Sequence, residues 1–156
     1  MQITISIPPK EQLLNTNCSV PTAAKGEKWV AEHVGIHQKK RGVYIIHQAD
    51  EILYIGKTGK QSEGKNQMDF ATRLRRHFTE SGSGANGIYR MLKARAASGQ
   101  THVSFLDAEH LPNLIQGFTR TNKNVEDALI CVMEAAMIYE FDPTFQSRVG
   151  KSRESK

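Results

Sequence analysis

The chain has 156 residues, with 21 Lys and Arg against 16 Asp and Glu, a formal net charge of +5 and a pI of about 9.3. That length suits one domain with a real core, and the excess of cations suits a polyanionic partner such as nucleic acid, without separating DNA from RNA. Two distant cysteines, Cys18 and Cys131, exclude a Cys-x-x-Cys zinc ribbon or redox pair and suit a reducing compartment. The sequence holds no apolar run of bilayer length and Met1–Thr4 lacks the start of a signal peptide, so no membrane partner and a cytoplasmic location are expected.

Residues 2–7 alternate polar and apolar, which predicts a short strand closed by Pro8-Pro9. A short helix is predicted over 23–34, carrying Trp29, Val30 and Val34, and Lys39-Lys40-Arg41 forms a basic bridge to the main segment. Residues 1–40 are read as an N-terminal extension, 41–147 as the main domain and 148–156 as a basic tail. His33 and His37 share a helical spacing but have no third ligand nearby, and are read as surface histidines.

Residues 42–57 predict a β-hairpin, with β-branched and aromatic runs around Ala49-Asp50-Glu51. Both faces of its strands are apolar, so the sheet should be covered on both sides. Tyr44 and Tyr54 share a face if those three residues form the loop. A two-residue turn at Ala49-Asp50 separates them unless a bulge intervenes. Residues 58–67 read as an exposed loop.

Asp69 is a candidate cap for a helix from Phe70 to about Glu80, with Phe70, Leu74 and Phe78 as its apolar stripe. A second helix is predicted from about Gly87 to Ala97, with Ile88, Met91 and Leu92 inward, and a strand over 101–107. Asn124 is a candidate cap for the last helix, which reaches about Glu140 and stops before Pro143.

Glu134 is the one carboxylate in the apolar run Ala128–Tyr139, where a charge needs a cation or an ion-pair partner. Arg73 and His77 lie four apart, on one helix face at the edge of the apolar stripe. A guanidinium there can grip a phosphate, and an imidazole can move a proton near neutral pH. Each feature alone is also compatible with a solvated basic face or a structural ion pair. Arg90, Lys93 and Arg95 on the second helix could extend a DNA-binding face or simply be solvated.

Taken in order, Gly42-Val43-Tyr44, Tyr54-Ile55-Gly56, Arg73-Leu74-x-x-His77, Glu134 and Pro143-Thr144-Phe145-Gln146 resemble the GIY-YIG nuclease family over about residues 41–147. Gly87-Ile88-Tyr89 spells the first motif again, but after the second motif and in a helical stretch, and is read as coincidence. The resemblance implies an α/β fold of the α+β type. A three-stranded antiparallel sheet is flanked by helices, and the site lies on one sheet face. It further implies a DNA endonuclease using one Mg²⁺ or Mn²⁺ held by Glu134.

In that scheme Tyr44, helped by His77 or Lys57, activates water. Arg73 stabilises the phosphate and Tyr54 positions it. Gly56, Arg76 and Gln146 are assigned to substrate contact, with Gln146 standing where the family usually has Asn. A restriction-type or toxin-like DNase is the expected role, and a palindromic substrate would favour a homodimer. An RNase, or a nucleic-acid-binding module without cleavage, are the alternatives.

Overall fold

The computed structural model describes residues 2–15, 17–19, 29–59, 69–79, 87–117 and 125–146. Six strands are present among them: β1 (Thr4–Ile5), β2 (Asn17–Ser19), β3 (Gly42–Gln48), β4 (Glu51–Lys57), β5 (His102–Asp107) and β6 (Ile115–Gln116). The helices are α1 (Lys10–Leu14), α2 (Phe70–Phe78), α3 (Ile88–Arg95), α4 (Leu111–Leu114) and α5 (Val125–Phe141). The main sheet is antiparallel, in the order β2-β5-β3-β4, and β1 pairs with β6 in a separate two-stranded ribbon. No helix among the described residues is long and apolar enough to cross a membrane.

The sheet therefore has four strands, not the expected three. The fourth, β2, comes from the segment read as an extension and pairs Asn17–Ser19 with His102–Ser104 at the open edge of β5. That segment also supplies Leu13 and Val34 to the core. The helix expected over 23–34 is replaced, in its described part, by a 3-10 helix at Ala31–His37, where Gly35 takes φ 56°. Residues 23–28 of that expectation lie outside the described residues, as do Asn124, most of the 58–67 loop and the tail.

As expected, the sheet is covered on both faces. Val43, Ile45, Ile52, Ile55 and Leu106 pack with α5 through Leu129, Ile130, Met133 and Met137. Tyr44, Ile46, Leu53, Val103 and Phe105 pack with α2 and α3 through Phe70, Leu74, Phe78, Ile88 and Leu92.

The hairpin closes with Gln48 opposite Glu51, so its turn has two residues, Ala49 and Asp50, with Ala49 at φ 49°. A register shift lies just beyond the turn. His47 faces Ile52 but Ile46 faces Tyr54, which leaves Leu53 as a β-bulge. The bulge restores the parity that the short turn would have broken, so Tyr44 and Tyr54 share a face after all.

Arg41 anchors the entry to β3. It is 9% exposed and pairs with Glu126 at 2.5 Å and with Asp127, both in the first turn of α5, while donating to the Gly59 carbonyl at 2.7 Å. The basic bridge is thus an internal tie between β3 and the start of the helix that carries Glu134. Thr58, expected in an exposed loop, is buried, because its N–H donates to the Gly42 carbonyl and its Oγ1 accepts from the Gly42 N–H. His37 is also not a surface residue. It stacks on Phe105 at 4.4 Å and its Nδ1 lies 3.0 Å from Asp107 Oδ1.

Candidate active site

The site begins with a missing side chain. A Cβ at Gly56 would lie 2.8 Å from Tyr44 Cε2 and closer still to its Cζ and Oη. Gly56 is directly opposite Tyr44 in the ladder, so the phenol ring lies across the glycine and turns its hydroxyl toward α2. Helix α2 is capped by Asp69, whose Oδ1 accepts from the Thr72 N–H at 2.8 Å. Phe70, Leu74 and Phe78 bury its apolar stripe, and His77 comes down with them. Tyr44 Oη and His77 Nε2 then meet at 2.6 Å, with both residues fully buried.

Around this pair the exposure rises. Tyr54, Arg73, Lys57 and Glu134 are each half-buried. The Tyr54 ring is 6.2 Å from Tyr44 and 5.3 Å from His77. Lys57 and Glu134 belong to the α5 side of β4, whereas the tyrosines, Arg73 and His77 belong to the α2 side. The cluster thus draws on both faces around β4, the edge strand, and does not lie on a single face as expected. The structure nevertheless brings the groups into one electrostatic neighbourhood, since Glu134 is felt at Tyr44, Tyr54 and Lys57, and Arg73 at all of these and His77.

Each shift has a physical cause. Burial pushes the Tyr44 phenol far above its ordinary range, Tyr54 adds to this, and Arg73 opposes it. Burial raises Tyr54 as well, again against Arg73. Burial takes His77 down to about 3, with the charges of Arg73 and Arg76 acting the same way, so the imidazole is neutral at physiological pH. Burial raises the Glu134 carboxyl, while Lys57 and Arg73 lower it. Three buried side-chain nitrogens have no hydrogen-bond partner among the described residues, and two of them, His77 Nδ1 and Arg73 Nε, belong to this cluster, the third being Arg41 Nε.

Gln146 does not reach toward this cluster. Its amide pairs with the backbone of Ile55, accepting from the N–H at 3.0 Å and donating to the carbonyl, as a further strand would at the edge of β4. Gly56 is buried under Tyr44, and so acts by making room. Arg76 is exposed on α2. Arg95 of the second helix pairs with Glu51 at 2.5 Å, leaving exposed Arg90 and Lys93 as its free cations among the described residues. Gly87-Ile88-Tyr89 opens α3 and contributes Ile88 to the core.

Sequence reasoning missed Cys131. Its Sγ lies 3.0 Å from Lys57 Nζ and raises the lysine's pKa. The available signal was its position one turn before Glu134.

Glu134, a half-buried carboxylate with no hydrogen bond among the described residues, could offer one oxygen to a hard divalent ion, with Lys57 and Arg73 as the cations acting on it. Such ions need few protein carboxylates because they keep several waters. A different group, Asp107, Glu109 and His110, places three ligand atoms within 4.8 Å of one another. There Lys40 already lies 3.2 Å from both carboxylates, so the negative charge has an ammonium partner.

No protein-family model, curated protein or solved structure matches the chain.

Because the ring fills the space over the glycine, Gly56→Ala should displace Tyr44 and cost about 1–3 kcal/mol, the range for overpacking, read from urea unfolding. His77 has a lower pKa folded than the ordinary 6.5 of an unfolded chain. Its contribution is therefore complete above pH 6.5 and is lost as pH falls toward 3. Unfolding free energy should drop by up to about 1.4 kcal/mol per pH unit on this account. The difference between wild type and His77→Gln isolates it from His47, whose burial acts in the same direction.

Proposed function

We propose that this chain is a metal-dependent endonuclease that hydrolyses phosphodiester bonds in DNA. The observation that carries the reading is the buried Tyr44–His77 hydrogen bond, set behind a half-exposed rim of Tyr54, Arg73, Lys57 and Glu134. A phosphodiester needs cations to offset charge on its oxygens, an acceptor for the proton of the attacking water, and stabilisation of the leaving oxygen. The rim and the pair together contain groups of each kind.

Arg73 grips the non-bridging phosphate oxygens, and Tyr54 orients the phosphate by hydrogen bonding. Tyr44 Oη is buried in the free chain, so the step requires a rearrangement on substrate binding that admits water to it. The water oxygen then bonds to phosphorus as the bond to the leaving oxygen breaks. Its proton passes to Tyr44 Oη while the Tyr44 proton passes to the lone pair of neutral His77 Nε2. The negative phosphate favours the imidazolium that results, offsetting Arg73 and Arg76. Lys57 balances the charge of Glu134 in the free chain. A Mg²⁺ or Mn²⁺ ion on Glu134 would supply Lewis-acid stabilisation of the leaving oxygen.

The complete burial of Tyr44 and His77 favours a second reading, a nucleic-acid-binding module without cleavage. The two are separated by incubating supercoiled plasmid with Mg²⁺, Mn²⁺ or EDTA and comparing wild type with Glu134→Ala and Tyr44→Phe. The nuclease reading expects metal-dependent nicking that falls at least about a hundredfold in both variants. Retention of DNA without nicking under any metal supports the module instead, and cleavage confined to RNA makes the chain an RNase.

A further inference from the structure

The protein has a single tryptophan, Trp29. It stands half-buried at the surface beside α2, stacked on Phe78 at 5.7 Å and 10°. It also lines an open cleft of about 370 Å³ together with Ala71, Thr72 and Arg75. That volume lies within the range of small-molecule sites.

The cleft is connected to the Arg73 site by the geometry of α2. With 3.6 residues per turn, successive side chains turn by about 100°. The buried residues Phe70, Leu74, His77 and Phe78 occupy one side. Around the exposed side the order is Arg73, Arg76, Thr72, Arg75 and Ala71. Arg73 is at one margin, beside Tyr44, and Trp29 is at the other. Arg75 and Arg76 are both exposed, and no ion pair to either is present among the described residues.

We infer that the Trp29–Arg75 cleft is a nucleobase subsite, which takes one unstacked base of a DNA strand whose backbone crosses α2 along these arginines. The inference rests on the nuclease reading and extends it. An aromatic face stacks any base and a guanidinium can hold the adjoining phosphate, while Thr72 Oγ1 offers a donor or acceptor to a base edge. The base and the phosphate held by Arg73 therefore lie at opposite margins of a helix about 10–12 Å across.

The lone tryptophan makes the test direct. A short thymidine oligonucleotide is titrated into the Glu134→Ala protein, reading Trp29 emission together with the anisotropy of a labelled copy. Saturable quenching that tracks anisotropy is expected. Arg75→Ala and Trp29→Leu should each weaken binding about tenfold, with Trp29→Phe recovering part of the loss. Arg75 is exposed, so its variant keeps the test valid if Trp29→Leu does not fold. Binding by anisotropy with unchanged Trp29 emission, or with full affinity in Arg75→Ala, overturns the subsite and leaves the nuclease reading standing. Absence of binding together with absence of plasmid cleavage by wild type overturns both.

Discussion

The Tyr44 phenol is held in place from three directions, and the arrangement of the surrounding elements depends on it. Below it, Gly56 has no side chain, so the ring lies flat against β4. Above it, His77 meets the hydroxyl and fixes the depth of α2. Along the strand, the Leu53 bulge keeps Tyr54 on the same face. A buried phenol without a partner would cost free energy, so the tyrosine, the histidine and the glycine stand or fall together. Because α2 also carries Arg73, the hydrogen bond that secures the fold determines where the guanidinium sits.

The electrostatics of the cluster separate neutral groups inside from charged groups at the rim. The two inner groups rest neutral, since burial raises the phenol and lowers the imidazole. The charges lie farther out, on Arg73, Lys57 and Glu134. Glu134 reaches the cluster from α5, the helix that Arg41 ties to the start of β3 through Glu126 and Asp127. The two walls of the site, α2 and α5, are thus joined to the same hairpin by independent contacts, one polar and buried beneath α2, the other ionic at the head of α5.

Much of this was legible in the residues. Alternation and β-branching marked the hairpin, Asp69 marked the start of α2, and the apolar run with Pro143 beyond it marked α5. What was hidden depended on distant partners. Asn17-Cys18-Ser19 has little strand propensity, and becomes β2 only because β5 offers an edge. His37 looked exposed because Asp107, its partner, is 70 positions away. The bulge at Leu53 leaves no local signature, since only the need to bury both Leu53 and Tyr54 on one face requires it. Gln146 keeps the amide of an expected substrate contact, yet that amide completes the edge of β4. Side-chain chemistry alone did not distinguish the two uses.

The nuclease reading depends above all on a divalent metal at Glu134, and the most direct measurement is a titration of Mn²⁺ into the free protein, followed by electron paramagnetic resonance. One saturable Mn²⁺ per chain is predicted, abolished by Glu134→Gln and unaffected by Asp107→Asn. Binding that survives Glu134→Gln and is lost in Asp107→Asn would contradict it, by assigning the ion to the Asp107, Glu109 and His110 group instead.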